Sequence, residues 1–203
     1  MRAAALVGLA AVLLTACSTA PTPTASISQG PASAGRTGPA ISPPPVTPPT
    51  PPGDNAIAFV CKGDVTGGAA GNAHVTDVRV SEEDGFDRLV LQFDGPVPAY
   101  SVKRQASPVF TQGGSGQTIT LSGTTGVLVR LHTAFMADSY TGTGQPTDFT
   151  QASFSVLKEA RLTENFEGYV GWGVGLGTSP CIRAFVPTTP PSRLIVDFAL
   201  TSS

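Results

Sequence analysis

The residue types best suited to metal binding or nucleophilic catalysis are present, but their spacing favours neither chemistry. His74 and His132 are not spaced as a ligand pair, and the three cysteines form no Cys-x-x-Cys motif. A structural zinc site or a thiol redox site is therefore not predicted. The glycine-rich sequence around Ser115 lacks the Gly-x-Ser-x-Gly spacing of esterases and is typical of a turn. We predict no metal, no cofactor and no catalytic residue.

Acidic side chains suggest two further kinds of site. The run Glu82, Glu83 and Asp84 with Asp87 could gather oxygen ligands for calcium, although such runs are more typical of solvated hairpin tips. A paired-carboxylate hydrolase needs two acids in one cleft. The linear sequence does not place Asp87, Glu164 and Glu167 relative to one another, so an envelope hydrolase stays a third function hypothesis.

Two groups of side chains are candidates for ligand binding. Asp87 and Arg88, and Arg193 with Asp197, fall on or beside outward strand positions, where cross-strand ion pairing is the simpler interpretation and polar ligand recognition the alternative. Residues 135–152 form an irregular segment long enough to suggest a functional loop. In that segment, Tyr140 and Phe149 could stack on a sugar or peptide, while Phe135 and Phe149 could instead fix the loop to the domain.

The elements that must position these residues are mainly strands. Apolar and other residues alternate with a period of two around residues 78–80, 89–93, 127–132 and 193–198, and glycine or proline turns separate the runs. No stretch shows a sustained helical period, although 151–163 would tolerate a short helix. We predict an all-β fold, an antiparallel β-sandwich of roughly seven to nine strands, over residues 54–203.

One predicted strand carries glycine at every second position. Gly171, Gly173, Gly175 and Gly177 alternate with Val170, Trp172, Val174 and Leu176, which is strand periodicity and not a phosphate-binding loop. The sequence therefore predicts a strand with one bare face. Close approach of another backbone, strong curvature or a shallow ligand surface would each explain it. Trp172 lies on the opposite face and is predicted to be in the core.

The N-terminal quarter of the chain is not part of this fold. Residues 1–16 have Arg2 followed by an apolar run, which predicts a lipoprotein signal peptide, and the sequence Leu14-Thr15-Ala16-Cys17 resembles the lipobox of bacterial lipoproteins. Cys17 would then be lipidated and hold the chain on the outer face of the cell membrane. Residues 18–53 contain 11 prolines, 11 Ser/Thr and one charge, so residues 17–53 are predicted to be a lipidated cysteine and a disordered tether.

Lipidation of Cys17 would leave two cysteines in an exported protein. Cys61 and Cys181 are therefore predicted to form a disulfide, near the start and the end of the folded part. The net charge of residues 54–203 is 10 − 14 = −4, counting Lys/Arg against Asp/Glu, which argues against nucleic-acid binding.

Several short motifs in residues 74–200 resemble the AMIN-like domain of lipoproteins from high-GC Gram-positive bacteria. They lie at 78–80, 85–94, 98–100, 166–176, 183–185 and 191–197. The resemblance implies a β-sandwich related to the N-terminal domain of cell-wall amidases, which localises proteins to the envelope and is not itself catalytic.

Three function hypotheses follow. The first is a membrane-anchored lipoprotein whose non-catalytic sandwich binds a cell-envelope component, either peptidoglycan or another wall polymer, or an exported protein. The alternative is a structural or interaction accessory of an envelope protein complex without glycan affinity. The envelope hydrolase is the third.

Overall fold

A computed structural model describes residues 57–141 and 145–200, which form thirteen strands and one short helix. The predicted signal peptide, Cys17 and the predicted tether lie outside the described residues. None of the helices within 57–141 and 145–200 is long and apolar enough to cross a membrane. The elements are β1 (Val65–Gly67), β2 (Ala73–Glu83), β3 (Phe86–Phe93), β4 (Tyr100–Gln105), β5 (Val109–Thr111), β6 (Thr118–Thr120), β7 (Thr125–His132), β8 (Ala134–Met136), α1 (Asp138–Thr141), β9 (Asp148–Thr150), β10 (Leu157–Phe166), β11 (Tyr169–Leu176), β12 (Cys181–Phe185) and β13 (Arg193–Ala199).

The strands form two large sheets and one hairpin. The six-stranded sheet has the order β1-β4-β7-β11-β10-β9, the five-stranded sheet has the order β12-β13-β3-β2-β8, and β5 pairs with β6. Among the described strands, every pairing is antiparallel except that of β2 with β8. The predicted all-β antiparallel sandwich is confirmed.

The structure has more strands than the roughly seven to nine predicted, because five of the thirteen are only three residues long. These are β1, β5, β6, β8 and β9. A strand of three residues is too short to show a periodic pattern, and its pairing depends on what lies beside it in the fold. The other eight strands have five residues or more and fall within the predicted number.

The core lies between the two large sheets and follows the alternation seen in the sequence. Leu89, Leu91 and Phe93 of β3 face it, while Val90 and Gln92 between them are only half-buried. The largest fully buried side chain is Trp172 of β11, which confirms its predicted core position. Because successive side chains of a strand point to opposite faces, one sheet can bury its apolar residues and still present polar ones outward.

Two segments of the sequence lack a clear periodic pattern. Residues 157–166 form β10, so the segment 151–163, which would tolerate either a strand or a short helix, contains a strand. The segment 135–152, predicted as an irregular loop, contains parts of β8, the four-residue helix α1 and β9. The loop prediction was wrong in this respect, because β8 and β9 are defined by pairing with β2 and β10 and not by a local sequence pattern.

The predicted disulfide between Cys61 and Cys181 is present and joins residues 120 positions apart. Beside it, Val60 and Ile182 exchange two backbone hydrogen bonds of 2.8 Å, so the first described residues lie along the edge strand β12. Arg104 donates to the carbonyl oxygens of Val60, Gly63 and Pro180. The start of the folded region is thus bonded covalently and by hydrogen bonds to the sandwich.

Candidate functional site

An open cleft of about 730 Å³ lies beside the beginning of β2, next to β8 and α1. This volume is within the range typical of small-molecule sites. Its lining is mainly polar and comes from β2, β8, α1 and β10, and from single residues just after β3 and just after β8. The five principal residues of the cleft are His74, Asp94, Phe135, Asp138 and Asn165.

Strand alternation brings His74 and Phe135 to the cleft. Ala73 and Val75 are buried on either side of His74, and Ala134 and Met136 are buried on either side of Phe135. Because β2 and β8 are parallel with His74 opposite Phe135, the two rings lie side by side. Their centroids are 6.0 Å apart with an interplanar angle of 40°, and Phe135 keeps 44% of its surface exposed.

Asp94 is held in one orientation by a single neighbour. Its Oδ1 accepts the backbone N–H of His74 at 2.8 Å, and its Oδ2 lies 2.8 Å from Nδ1 of the His74 ring. The backbone hydrogen bond, followed by the side-chain contact, lowers the pKa of Asp94 below its ordinary value. Since both side chains are about half exposed, solvent screens this pair and its contribution to stability is small.

The other polar groups of the cleft come from β2, β10 and α1. Asn165 accepts the backbone N–H of Met136 through Oδ1 at 3.3 Å, so its NH₂ group is the part that can donate to a ligand. Asp138 and Ser139 lie in α1, and Thr76 lies on β2. Together with Phe135, these groups supply hydrogen-bond donors, acceptors and an apolar ring face. The described residues contain no group of three or more His, Cys, Asp or Glu that could hold a metal ion.

Tyr140 and Phe149, the aromatic residues predicted to stack on a ligand, lie elsewhere. Tyr140 is 1% exposed, donates its hydroxyl to the carbonyl of Pro146, and has its pKa raised to about 12 by burial. Phe149 is half-buried, with its ring centroid 5.9 Å from that of Trp172. Both rings pack on the domain, whereas Phe135 of the same segment is exposed.

Asp87 does not lie at the outward position that the sequence suggested. It is fully buried, and its Oδ2 accepts the backbone N–H groups of Val156 and Leu157 at 2.6 and 2.7 Å. The alternation of β3 places Asp87 on the same face as Leu89, which is the core face. Asp87 therefore lies beside the outward position, which Arg88 occupies.

Cross-strand ion pairing, the simpler interpretation of these charged side chains, is found between Arg88 and Asp197. Asp197 is fully buried and binds Arg88 through both oxygens at 2.7 and 3.1 Å. Arg183 of β12, which sequence reasoning missed, donates to the same carboxylate at 2.6 and 2.9 Å. Arg193 lies further along β13 opposite Gln92, and none of the ion pairs found between described residues joins it to this group.

The glycine-bearing face of β11 is covered by the chain itself. A Cβ atom on Gly173 would lie 3.1 Å from the ring of Phe110 on β5. One on Gly175 would overlap the carbonyl oxygen of Ser122, just after β6. Close approach of another backbone, one of the three explanations left open, is therefore found at Gly175, while side chains cover Gly171 and Gly173.

The acidic residues that were considered as metal or hydrolase groups are dispersed. Asp84 and Gly85 form the turn between β2 and β3, as expected of a hairpin tip. Glu164 binds Arg130 at 2.7 and 2.9 Å, and Glu167 is exposed in the turn between β10 and β11. The sequence reasoning missed Asp94 as a site residue. The outward parity of His74 and Phe135 was the signal that could have pointed to this cleft.

Comparison with known families identifies the sandwich. A family model, the AMIN-like domain, matches residues 73–200. The chain belongs to the AMIN-like domain family. No curated protein and no solved structure matches the chain.

The AMIN-like domain includes every strand from β2 to β13, and all five principal cleft residues lie inside it. Its observed extent agrees closely with the predicted range of 74–200. Cys61 lies before the matched residues, so the disulfide joins the preceding segment to β12 of the AMIN-like domain.

Proposed function

We propose that this protein is a lipoprotein anchored through Cys17 to the outer face of the bacterial cell membrane. Its AMIN-like domain binds a cell-envelope component, either a wall polymer such as peptidoglycan or another exported protein, and is not itself catalytic. The observation that carries this proposal is the family match over residues 73–200. It is supported by the Cys61–Cys181 disulfide, because disulfides persist mainly in exported proteins.

The cleft at His74 and Phe135 is the proposed contact surface. It combines an exposed aromatic ring with several polar groups, which is the usual composition of a binding site. The other candidate groups already have partners within the chain: β5 and the segment after β6 cover the glycine-bearing face of β11, and Arg88 and Arg183 both pair with Asp197.

A co-sedimentation experiment tests the proposal. The oxidised domain, residues 54–203, is mixed with isolated cell wall and separately with envelope membranes, and the bound fraction is measured. We expect retention on at least one of them, reduced in Asp94→Ala. Asp84→Ala is the matched control, because Asp84 is also an exposed aspartate but lies at the hairpin tip. Retention on neither preparation would contradict the proposal.

Crosslinking in cells separates a wall ligand from a protein partner. A reproducible protein crosslink that survives wall-digesting enzyme would favour the accessory role without glycan affinity. An envelope hydrolase is a second candidate, because the cleft lining includes His74, Asp94, Asp138 and Ser139. Release of soluble wall fragments by the wild-type domain, but not by Asp94→Ala, would favour that activity over the binding role.

A further inference from the structure

We propose that the cleft binds an uncharged saccharide unit and discriminates against saccharide units that themselves carry a phosphate or carboxylate group. This inference rests on the proposed envelope binding and specifies its ligand. It follows from three properties of the lining: an exposed and well-supported aromatic ring, a preorganised set of hydrogen-bonding groups, and a net negative charge.

The aromatic ring is Phe135. Its 44% exposure leaves a ring face open to the cleft, while Ala134 and Met136 on either side are buried and fix the strand. A pyranose ring has one apolar face of C–H groups and a rim of hydroxyls. Such a face packs well on an aromatic ring, so contact with Phe135 would remove apolar surface of both the sugar and the phenyl ring from water.

The hydroxyl rim of a sugar would meet groups that are already oriented. The two contacts from His74 fix the Asp94 carboxylate, and its remaining lone pairs can accept hydroxyl protons. Asn165 supplies a donor from the end of β10, and Asp138 supplies a further acceptor. Because Asp94 and Asn165 are held before a ligand arrives, binding costs less ordering of their side chains.

The charge of the lining determines which saccharides fit. Asp94 and Asp138 contribute two formal negative charges, and the single basic group in the lining is His74. The net charge is therefore −1 with a protonated imidazole (−2 + 1) and −2 with a neutral one. A phosphate or carboxylate group in this cleft would face like charge without a lysine or arginine among the lining residues. Such repulsion is a common means of rejecting a wrong ligand.

A second cleft in the described part of the chain does not offer these properties. It measures about 410 Å³ and is lined mainly by small or apolar residues between Gly68 and Ser192, without an aromatic ring or a charged side chain. We therefore assign saccharide recognition to the His74 and Phe135 cleft.

The test measures binding of two neutral trisaccharides, cellotriose and N,N′,N″-triacetylchitotriose, and one anionic trisaccharide, trigalacturonate. Residues 54–203 are titrated with each and followed by ¹H–¹⁵N NMR. We expect at least one neutral trisaccharide to bind more tightly than trigalacturonate and to shift amide signals of residues around 74, 94, 135 and 165.

Variants locate the site and test the role of charge. Phe135→Ala should weaken binding of the neutral trisaccharide about tenfold, in the range seen when an aromatic anchor is truncated. Phe166→Ala is the matched control, because Phe166 is 49% exposed but does not line the cleft, and it should bind as the wild type does. Asp138→Asn should narrow the preference for neutral over anionic trisaccharide, because one of the two repelling charges is removed.

Three outcomes would overturn this inference: tighter binding of trigalacturonate, equal loss in the Phe135 and Phe166 variants, or no binding of any neutral trisaccharide. These are distinguishable from failure of the proposed function. If the wild-type domain is still retained on cell wall or envelope membranes, the envelope role stands and the saccharide assignment alone fails. If the domain is retained on neither, the proposed function fails as well.

Discussion

At the scale of single residues, two buried aspartates connect strands of the sandwich. Asp87 and Asp197 are both fully buried, but their carboxylates bind different groups. Asp197 pairs with both Arg88 and Arg183 and so links three strands, whereas Asp87 accepts two backbone N–H groups just before and at the start of β10. Asp87 therefore joins the five-stranded sheet to β10 of the six-stranded sheet.

Replacing Asp87 tests this structural role. Asp87→Ala removes the acceptor and leaves the N–H groups of Val156 and Leu157 unpaired in the interior, so we expect a loss of about 2 to 4 kcal/mol in the free energy of unfolding. Urea denaturation followed by circular dichroism measures it. The control, Asp84→Ala at the exposed hairpin tip, should change stability by less than about 0.5 kcal/mol. Equal stability of the two variants would show that Asp87 has no such role.

At the scale of elements, the pairing of β11 with its covering hairpin shows why a strand can need glycine. β11 is buried on both faces: Val170, Trp172 and Val174 pack in the core, while Phe110 packs on Gly173 from outside. A side chain on the outer face would compete with the β5–β6 hairpin for the same space. Packing of the hairpin on this face therefore requires residues without a Cβ atom. Glycine satisfies this requirement although it weakens a strand.

Gly175 and Gly177, the last two glycines of the series, should respond differently to alanine. Gly175→Ala places a methyl group against the backbone carbonyl of Ser122, so we expect a loss of about 1 to 3 kcal/mol as the hairpin is displaced. The closest neighbour of a methyl group in Gly177→Ala is the far end of the Lys158 side chain, which can move, so this variant should have a much smaller effect. Thermal unfolding of both variants measures the difference. If Gly175→Ala were as stable as Gly177→Ala, close packing would not explain the glycines.

At the scale of the whole molecule, the folded region is bonded to its own first residues. Residues 57–64 are joined to the sandwich by the disulfide, by the Val60–Ile182 bridge and by Arg104, which also binds the carbonyl of Pro180 next to the disulfide. If the preceding residues are the tether that the sequence predicts, any pull on that tether reaches the sandwich through this covalent bond.

Removing the disulfide should destabilise the domain. In the chain-entropy model, closing a loop of this length contributes about 4 to 5 kcal/mol, and measured losses are typically about 2 to 5 kcal/mol. We therefore expect Cys61→Ala with Cys181→Ala to lower the free energy of unfolding by an amount in that range. Urea denaturation with and without reductant measures it. Reductant should destabilise the wild type and leave the double variant unchanged, and a wild type insensitive to reductant would contradict the prediction.

The anchor is a separate prediction for the whole molecule. Cys17→Ala removes the thiol that would carry the lipid, so the protein should appear in a soluble fraction or as an unprocessed precursor. Fractionation of cells followed by immunoblotting measures both forms. A matched variant, Ser18→Ala, should remain in the membrane fraction. Membrane retention and normal processing of Cys17→Ala would contradict lipid anchoring.

The sequence by itself determined the fold class, the family resemblance, the disulfide partners and the core position of Trp172. These depend on local alternation, motif spacing and the number of cysteines that would remain if Cys17 were lipidated, all of which can be taken from the sequence. The long strands could be predicted because a strand of five or more residues shows its period of two before it pairs with anything.

Only the tertiary structure decided where the candidate site lies. His74 and Phe135 are 61 positions apart and become neighbours through the short parallel pairing of β2 with β8, which has no local sequence pattern. Asp94 reaches them from the end of β3, and Asn165 from the end of β10. Likewise, the two N–H groups that satisfy the buried carboxylate of Asp87 come from a distant segment. Contacts between segments far apart in the chain depend on the packing of the two sheets, and no window of sequence contains that information.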